Sequence, residues 1–243
     1  MSAHVVMLAS GRGGAGKTTV TALLGAALAA RGKNVLAVEL SPGLRSLDAA
    51  AGVTAQTVYD LGDVLEGRCP VEKAVTASPL YAGLYVLCAP FSEARLPAAQ
   101  CTVLIDRLRP LFDFILLDTA SGMGAAFAAA SAAANAALLV ITPDAMAVRS
   151  GRIVADALHA AGHVPARMVL NKVPDSLEGT GLDDLDACID GVCTQLIGVL
   201  PLSRQIQRAA CTGSPLEVQS PVHAAFAALA ARMCGWEVPL IFM

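Results

Sequence analysis

Charge is scarce in this chain. Only 15% of its 243 residues are Asp, Glu, Lys or Arg, against 55% hydrophobic, which leaves few ionised side chains for a surface and implies extensive burial together with a sizeable partner interface. Basic charge is the scarcer sign: Lys and Arg total 17 against 20 acids, the formal charge is −3, and no basic run occurs. Counterion release from a phosphate backbone has little to draw on, so no nucleic acid is expected as a partner. Any Cys-x-x-Cys pair is also missing. The seven cysteines (Cys69, Cys88, Cys101, Cys188, Cys193, Cys211 and Cys234) are odd in number and scattered, which argues against a disulfide framework or a zinc site and for buried free thiols. No basic n-region or cleavage site precedes the first apolar run, so no secretory signal is expected, and a reducing cytoplasm is.

One stretch, 119–143, carries no charge and has the length of a membrane span. It is mostly alanine, interrupted by Gly122, Gly124, Ser131 and Asn135, and it divides into a helical pattern followed by a β-rich run at 137–141. It is therefore read as a buried helix and a strand. Short apolar runs rich in Val, Ile and Leu recur at 5–8, 35–38, 84–87, 114–117, 138–141, 168–170 and 196–200. Longer helical patterns at 18–30, 94–108, 124–134 and 148–161 alternate with them. That order predicts an α/β fold: a mostly parallel twisted sheet of about seven to eight strands flanked by helices. A chain of 243 residues fits one such domain, with residues 234–243 as its tail.

The sharpest chemical signal is Gly11-Arg12-Gly13-Gly14-Ala15-Gly16-Lys17-Thr18-Thr19, directly after the first predicted strand and before the first predicted helix. Glycines let such a loop turn its backbone N–H groups toward phosphate oxygens, and the helix N-terminus adds the positive end of its dipole. Lys17 is placed to bridge β- and γ-phosphates, and the Thr18 hydroxyl to ligate Mg2+. A carboxylate at the end of a neighbouring strand usually completes such a site. Phe112-Asp113-Phe114-Ile115-Leu116-Leu117-Asp118 supplies Asp118 at the carboxyl edge, where open α/β sheets bind ligands.

Ser10 to Thr19 resembles the deviant phosphate loop of the MinD/ParA family. Gly43-Leu44-Arg45-Ser46-Leu47-Asp48, Val58-Tyr59-Asp60-Leu61, Gly198-Val199-Leu200-Pro201 and Gly213-Ser214-Pro215 extend the likeness, and favour its cell-division branch. The resemblance implies an ATPase that binds ATP and Mg2+, closes into a homodimer with ATP, and meets a protein partner of the MinC or MinE kind. It also implies that a second loop cation reaches the partner subunit's phosphates and that a strand-ending asparagine, here Asn171, recognises the base.

Two departures qualify the catalytic expectations for Arg12, Lys17 and Asp118. Arg12 stands where the family has lysine; it keeps the charge but differs in reach and geometry. After the second strand the family reads Asp-x-Asp, whereas this chain reads Glu39-Leu40-Ser41. Glu39 is left as a candidate for metal-bound water beside Thr18 and Asp118, and Ser41 brings no charge near an attacking water, so slow hydrolysis is expected. Asp118-Thr119-Ala120-Ser121-Gly122 keeps the position of the second switch without its proline, with Thr119 or Gly122 as the expected γ-phosphate sensor. No segment of this sequence is expected to form the basic amphipathic tail that binds membrane in the family. The apolar Trp236, Leu240, Ile241 and Phe242 are expected to fold back on the domain, leaving peripheral attachment to a membrane with weak support. Two other readings stay open: a nucleotide-holding module with little turnover, and a metal-cluster or nickel-insertion ATPase, for which Cys188 and Cys193 are too far apart to form the usual pair.

Overall fold

The computed structural model describes residues 2–43, 45–92, 96–162 and 164–240. Strand β1 (His4–Ala9) leads through the glycine loop into helix α1 (Lys17–Ala29), and the chain returns as β2 (Val35–Glu39). Short helices α2 (Leu47–Ala50), α3 (Leu61–Leu65) and α4 (Val71–Ala74) precede the strands β3 (Thr76–Ala77) and β4 (Leu84–Leu87). Regular alternation then runs through α5 (Ala98–Leu108), β5 (Phe114–Asp118), α6 (Ala125–Ala133), β6 (Ala136–Ile141), α7 (Ala145–Ala161) and β7 (Ala166–Val173). The described chain ends with α8 (Asp186–Val192), β8 (Leu196–Pro201), α9 (Arg204–Thr212) and α10 (Pro221–Met233).

The strands form one sheet in the order β3-β4-β2-β5-β1-β6-β7-β8, parallel throughout except for the β3–β4 pair. Alternating side chains of β1 divide the core. Val5, Met7 and Ala9 join Leu36, Val38, Leu104, Phe127 and Leu158 on one face; Val6 and Leu8 join Val35, Leu24, Leu47 and Phe226 on the other. Such two-sided burial is why these strands read as unbroken apolar runs. The apolar runs and their alternation with helices are borne out, and the uncharged 119–143 stretch contains α6 and β6. Among the described residues no helix is long and apolar enough to cross a membrane.

The boundaries shift for local reasons. Helix α7 begins three residues before the expected 148 because Asp144 caps it, accepting from the Ala147 N–H at 2.9 Å. Of the expected helix 94–108, residues 94 and 95 lie outside the described residues. The β3 strand and α9 were not expected: β3 has two residues, and α9 buries only Ile206 and Ala209 of its nine. Strand β1 lies between β5 and β6. The chain leaves it toward β2 on one side and crosses from β5 to β6 on the other, so its carboxyl end opens at a topological switch point, the crevice where ligands bind in sheets of this kind.

The start of the tail meets the domain only at its edge: Trp236 stays 65% exposed rather than folding back into the domain as expected. The Arg31 guanidinium lies 5.1 Å from the centre of the Trp236 ring, and Arg232 donates to the Val238 carbonyl at 2.9 Å and to that of Pro239. Ile241 and Phe242 lie outside the described residues.

Candidate functional site

The loop from Ser10 to Gly16 joins β1 to α1 at that switch point. Gly14 and Gly16 have φ of 78° and 94°, the left-handed region that glycine enters without steric cost. Space is short as well. A Cβ on Gly16 would stand 2.3 Å from Asn171 Nδ2, and one on Gly11 would stand 2.5 Å from the Ser150 carbonyl oxygen, so the loop is wedged between the end of β7 and helix α7. Helix α1 starts without a side-chain cap and without an acid in its first turn. Its leading N–H groups and dipole are thus left for an anion.

Lys17 is buried, and its Nζ donates to Ser10 Oγ at 2.9 Å. Ser10 Oγ in turn donates to the Arg12 carbonyl at 2.8 Å, which ties the ammonium to the loop. Burial pulls the Lys17 pKa below its ordinary value, partly countered by the negative charge of Asp118. An ammonium has three donors, and the Ser10 bond uses one.

Asp118 ends β5, in register with Leu8 of β1 and Glu39 of β2. Thr18 Oγ1 donates to its Oδ2 at 2.6 Å, while Oδ1 is buried without a hydrogen-bond partner. Burial pushes the carboxyl up to about 7, with Glu39 adding to the rise and the Thr18 bond and Lys17 opposing it. An orphaned carboxylate oxygen beside a threonine hydroxyl suits a hard divalent cation, whose ligands are oxygens and whose charge favours the ionised acid. Mg2+ therefore fits the residues present.

Glu39 stands next to Asp118, yet its oxygens are already engaged. Oε1 accepts from the N–H groups of Ser46 at 2.8 Å and Leu47 at 3.2 Å, and Oε2 from that of Ala89 at 3.3 Å. The carboxylate thus joins the end of β2 to the start of α2 and the segment after β4. Burial raises its pKa, and these three bonds oppose the rise. A metal-bound water at Glu39 has to share oxygens that hold the backbone together.

Above them opens a cavity of about 870 Å³, walled by Gly13, Gly14, Gly16, Lys17, Thr18 and Thr19 on one side and by Glu39 to Pro42 with Thr119 to Ser121 on the other. Ser41 lies in that wall. The Thr119 hydroxyl donates to the Leu8 carbonyl at 2.7 Å, and the Gly122 N–H to the Ser10 carbonyl at 3.0 Å, so both expected sensors are fastened to β1 or the loop behind it.

Arg12 and Asn171 make contacts of a different kind from those their expected roles need. Arg12 is half exposed, and its Nη1 lies 2.9 Å from Asp144 Oδ1. Burial pushes Asp144 up, but bonds from Thr142 and Ala147 and the Arg12 charge outweigh it and hold the carboxyl below its usual range. Asn171 is buried and donates from Nδ2 to the Ala15 carbonyl at 2.8 Å. The next residue, Lys172, donates from Nζ to the Gly14 carbonyl at 2.7 Å and also lines the cavity. Ser10, Asp144 and Lys172 contact the loop without having been assigned a role from sequence. Each had a signal: a hydroxyl one residue before the glycine loop, an acid in helix-capping position after a strand, and a cation directly after the strand-ending asparagine.

Residues 6–216 match the CobQ/CobB/MinD/ParA nucleotide binding domain family. The septum site-determining protein MinD of Synechocystis sp. is 32% identical over 244 residues, covering 98% of this chain and 92% of that one. A chain of the MinC:MinD cell division protein complex of Aquifex aeolicus superposes with a TM-score of 0.91 at 29% identity, covering 99% of each chain. The septum site-determining protein MinD of Pyrococcus horikoshii, complexed with Mg-ADP, superposes with a TM-score of 0.86 at 26% identity, covering 95% of this chain and 96% of that one. Likeness of this extent means that the chain belongs to the CobQ/CobB/MinD/ParA nucleotide-binding family, within its MinD group.

Proposed function

We propose that this protein is a MinD-type ATPase that binds Mg-ATP at the α1 loop, dimerises in that state, and engages a MinC-type partner in placing the division site. The observation that carries the reading is the Thr18–Asp118 pair, with its orphaned carboxylate oxygen, beside the buried Lys17 ammonium. The loop amides and Lys17 hold the phosphates. Thr18 and Asp118 would hold the metal, which would supply neutralisation of phosphate charge. The homodimer and the MinC-type partner are carried over from the family and from the Aquifex aeolicus complex.

Turnover is slow, because Ser41 gives the cavity wall no carboxylate where the family has one. Arg12 starts each cycle paired with Asp144; an exposed pair of this kind is worth at most about 1 kcal/mol, so nearby phosphate charge can draw the guanidinium away. Phosphate release measured over a range of protein concentrations tests turnover and dimerisation together. The specific rate is low, rises with concentration, and increases in Ser41→Asp; a fast native rate that is independent of concentration and unchanged by the substitution would contradict the reading.

A further inference from the structure

The end of β7 breaks the two-residue alternation of a strand. Its register with β8 shifts between Leu170 and Val173, and Lys172 has φ of 58°, a left-handed conformation that strains any residue with a Cβ. In an unbroken strand Asn171 and Lys172 point to opposite faces. Here both reach the same loop. Asn171 Nδ2 donates to the carbonyl of Ala15 at 2.8 Å and Lys172 Nζ to that of Gly14 at 2.7 Å. The Lys172 stem also lies against the loop, with Cε 3.8 Å from where a Gly16 Cβ would be.

We propose that Lys172 is a positioning residue for the phosphate loop, acting with Asn171 to set the loop for a nucleoside diphosphate or triphosphate before the ligand arrives. A trans peptide holds its C=O and N–H on opposite edges of one plane. The Gly14 carbonyl shares its plane with the Ala15 N–H, and the Ala15 carbonyl shares its plane with the Gly16 N–H. Drawing both carbonyls toward the end of β7 fixes both N–H groups on the other side, where loops of this type meet the α- and β-phosphates. Asn171 secures one plane and Lys172 the next. A loop already set in this way loses less freedom on binding, which raises affinity without a new contact to the ligand. The left-handed backbone at Lys172 is then explained, since it turns two consecutive side chains toward one loop.

This inference rests on the nucleotide reading of the cavity, and calorimetry with Mg-ADP separates the two. Native protein that takes up no Mg-ADP refutes the underlying reading. If native protein binds, Lys172→Met, which keeps most of the stem but not the donor, is expected to bind about tenfold more weakly, the worth of one charge-assisted hydrogen bond. Lys172→Arg recovers most of the loss. The loss is the same for Mg-ATP, because both ligands carry the β-phosphate that the loop amides meet. Lys172→Gly removes the donor but relieves the backbone, so its affinity falls while its ligand-free melting temperature holds or rises; a merely structural lysine would move affinity and melting temperature together. The inference is overturned if Lys172→Met binds within about twofold of native, if its loss is confined to Mg-ATP, or if Lys172→Gly melts lower in proportion to its weaker binding.

Discussion

At the scale of single residues, Asp118 sets the metal-free behaviour of the site. Its folded pKa of about 7, raised above the ordinary carboxylate value of 3.8 by burial, means that between these values the folded chain holds a proton that the unfolded chain releases. The sign follows directly: metal-free stability falls as pH rises through that window, by about 1.4 kcal/mol per unit at most, and levels off above the folded pKa. On the proposed reading Mg2+ would reverse the preference, because a cation favours the ionised form. Asp118→Asn, nearly the same shape without the charge, is therefore expected to raise the metal-free melting temperature at pH 8 and to lose the effect of Mg2+ on nucleotide affinity. A thermal melt showing the variant less stable than native at pH 8 without metal would contradict this. The cysteines illustrate a different limit of sequence reading. Cys69, Cys88, Cys101 and Cys188 are buried, as expected of free thiols, whereas Cys193 and Cys211 are exposed. Composition assigns burial to the residue type; only the packing of α8 and α9 decides each case.

At the scale of elements, the strands and the loop were legible because each writes a local pattern. A strand covered on both faces is an apolar run, and a loop that must enclose phosphate is a run of glycines. Contacts between distant elements left no such pattern. Gly11 is required by helix α7, whose Ser150 carbonyl would lie 2.5 Å from a Cβ, and nothing near residue 11 in the sequence announces residue 150. Backbone on both sides of that contact cannot yield cheaply, so Gly11→Ala is expected to destabilise the fold by about 1–3 kcal/mol and to weaken nucleotide binding by displacing the loop. Denaturant unfolding with a parallel nucleotide titration checks both; native-like values in each would show that α7 does not brace the loop. Glu39 teaches the same lesson. Its place at the end of β2 was readable, but one of the three backbone groups it holds, the N–H of Ala89, comes from a segment that meets it only once β4 pairs with β2.

At the scale of the whole molecule, the sheet order gathers the working parts from positions far apart in the chain. The loop after β1, the end of β2, the end of β5 and the end of β7 all open on one edge, so Lys17, Thr18, Glu39 and Lys172 border a single cavity, with Asp118 buried behind it and bonded to Thr18. The likeness to MinD proteins over nearly the full length carried the expected fold and phosphate loop, and the departures at Arg12, Glu39 and Ser41 are where this chain has to be read on its own residues. The central claim is that this edge holds a magnesium nucleotide through Lys17, Thr18 and Asp118. Isothermal titration calorimetry of the native protein and Lys17→Ala with Mg-ATP tests it most directly. Saturable heat with one nucleotide per chain is expected for the native protein, and a loss of at least about tenfold in affinity for Lys17→Ala. Absence of binding heat in the native protein, or equal affinity in the two, would contradict it.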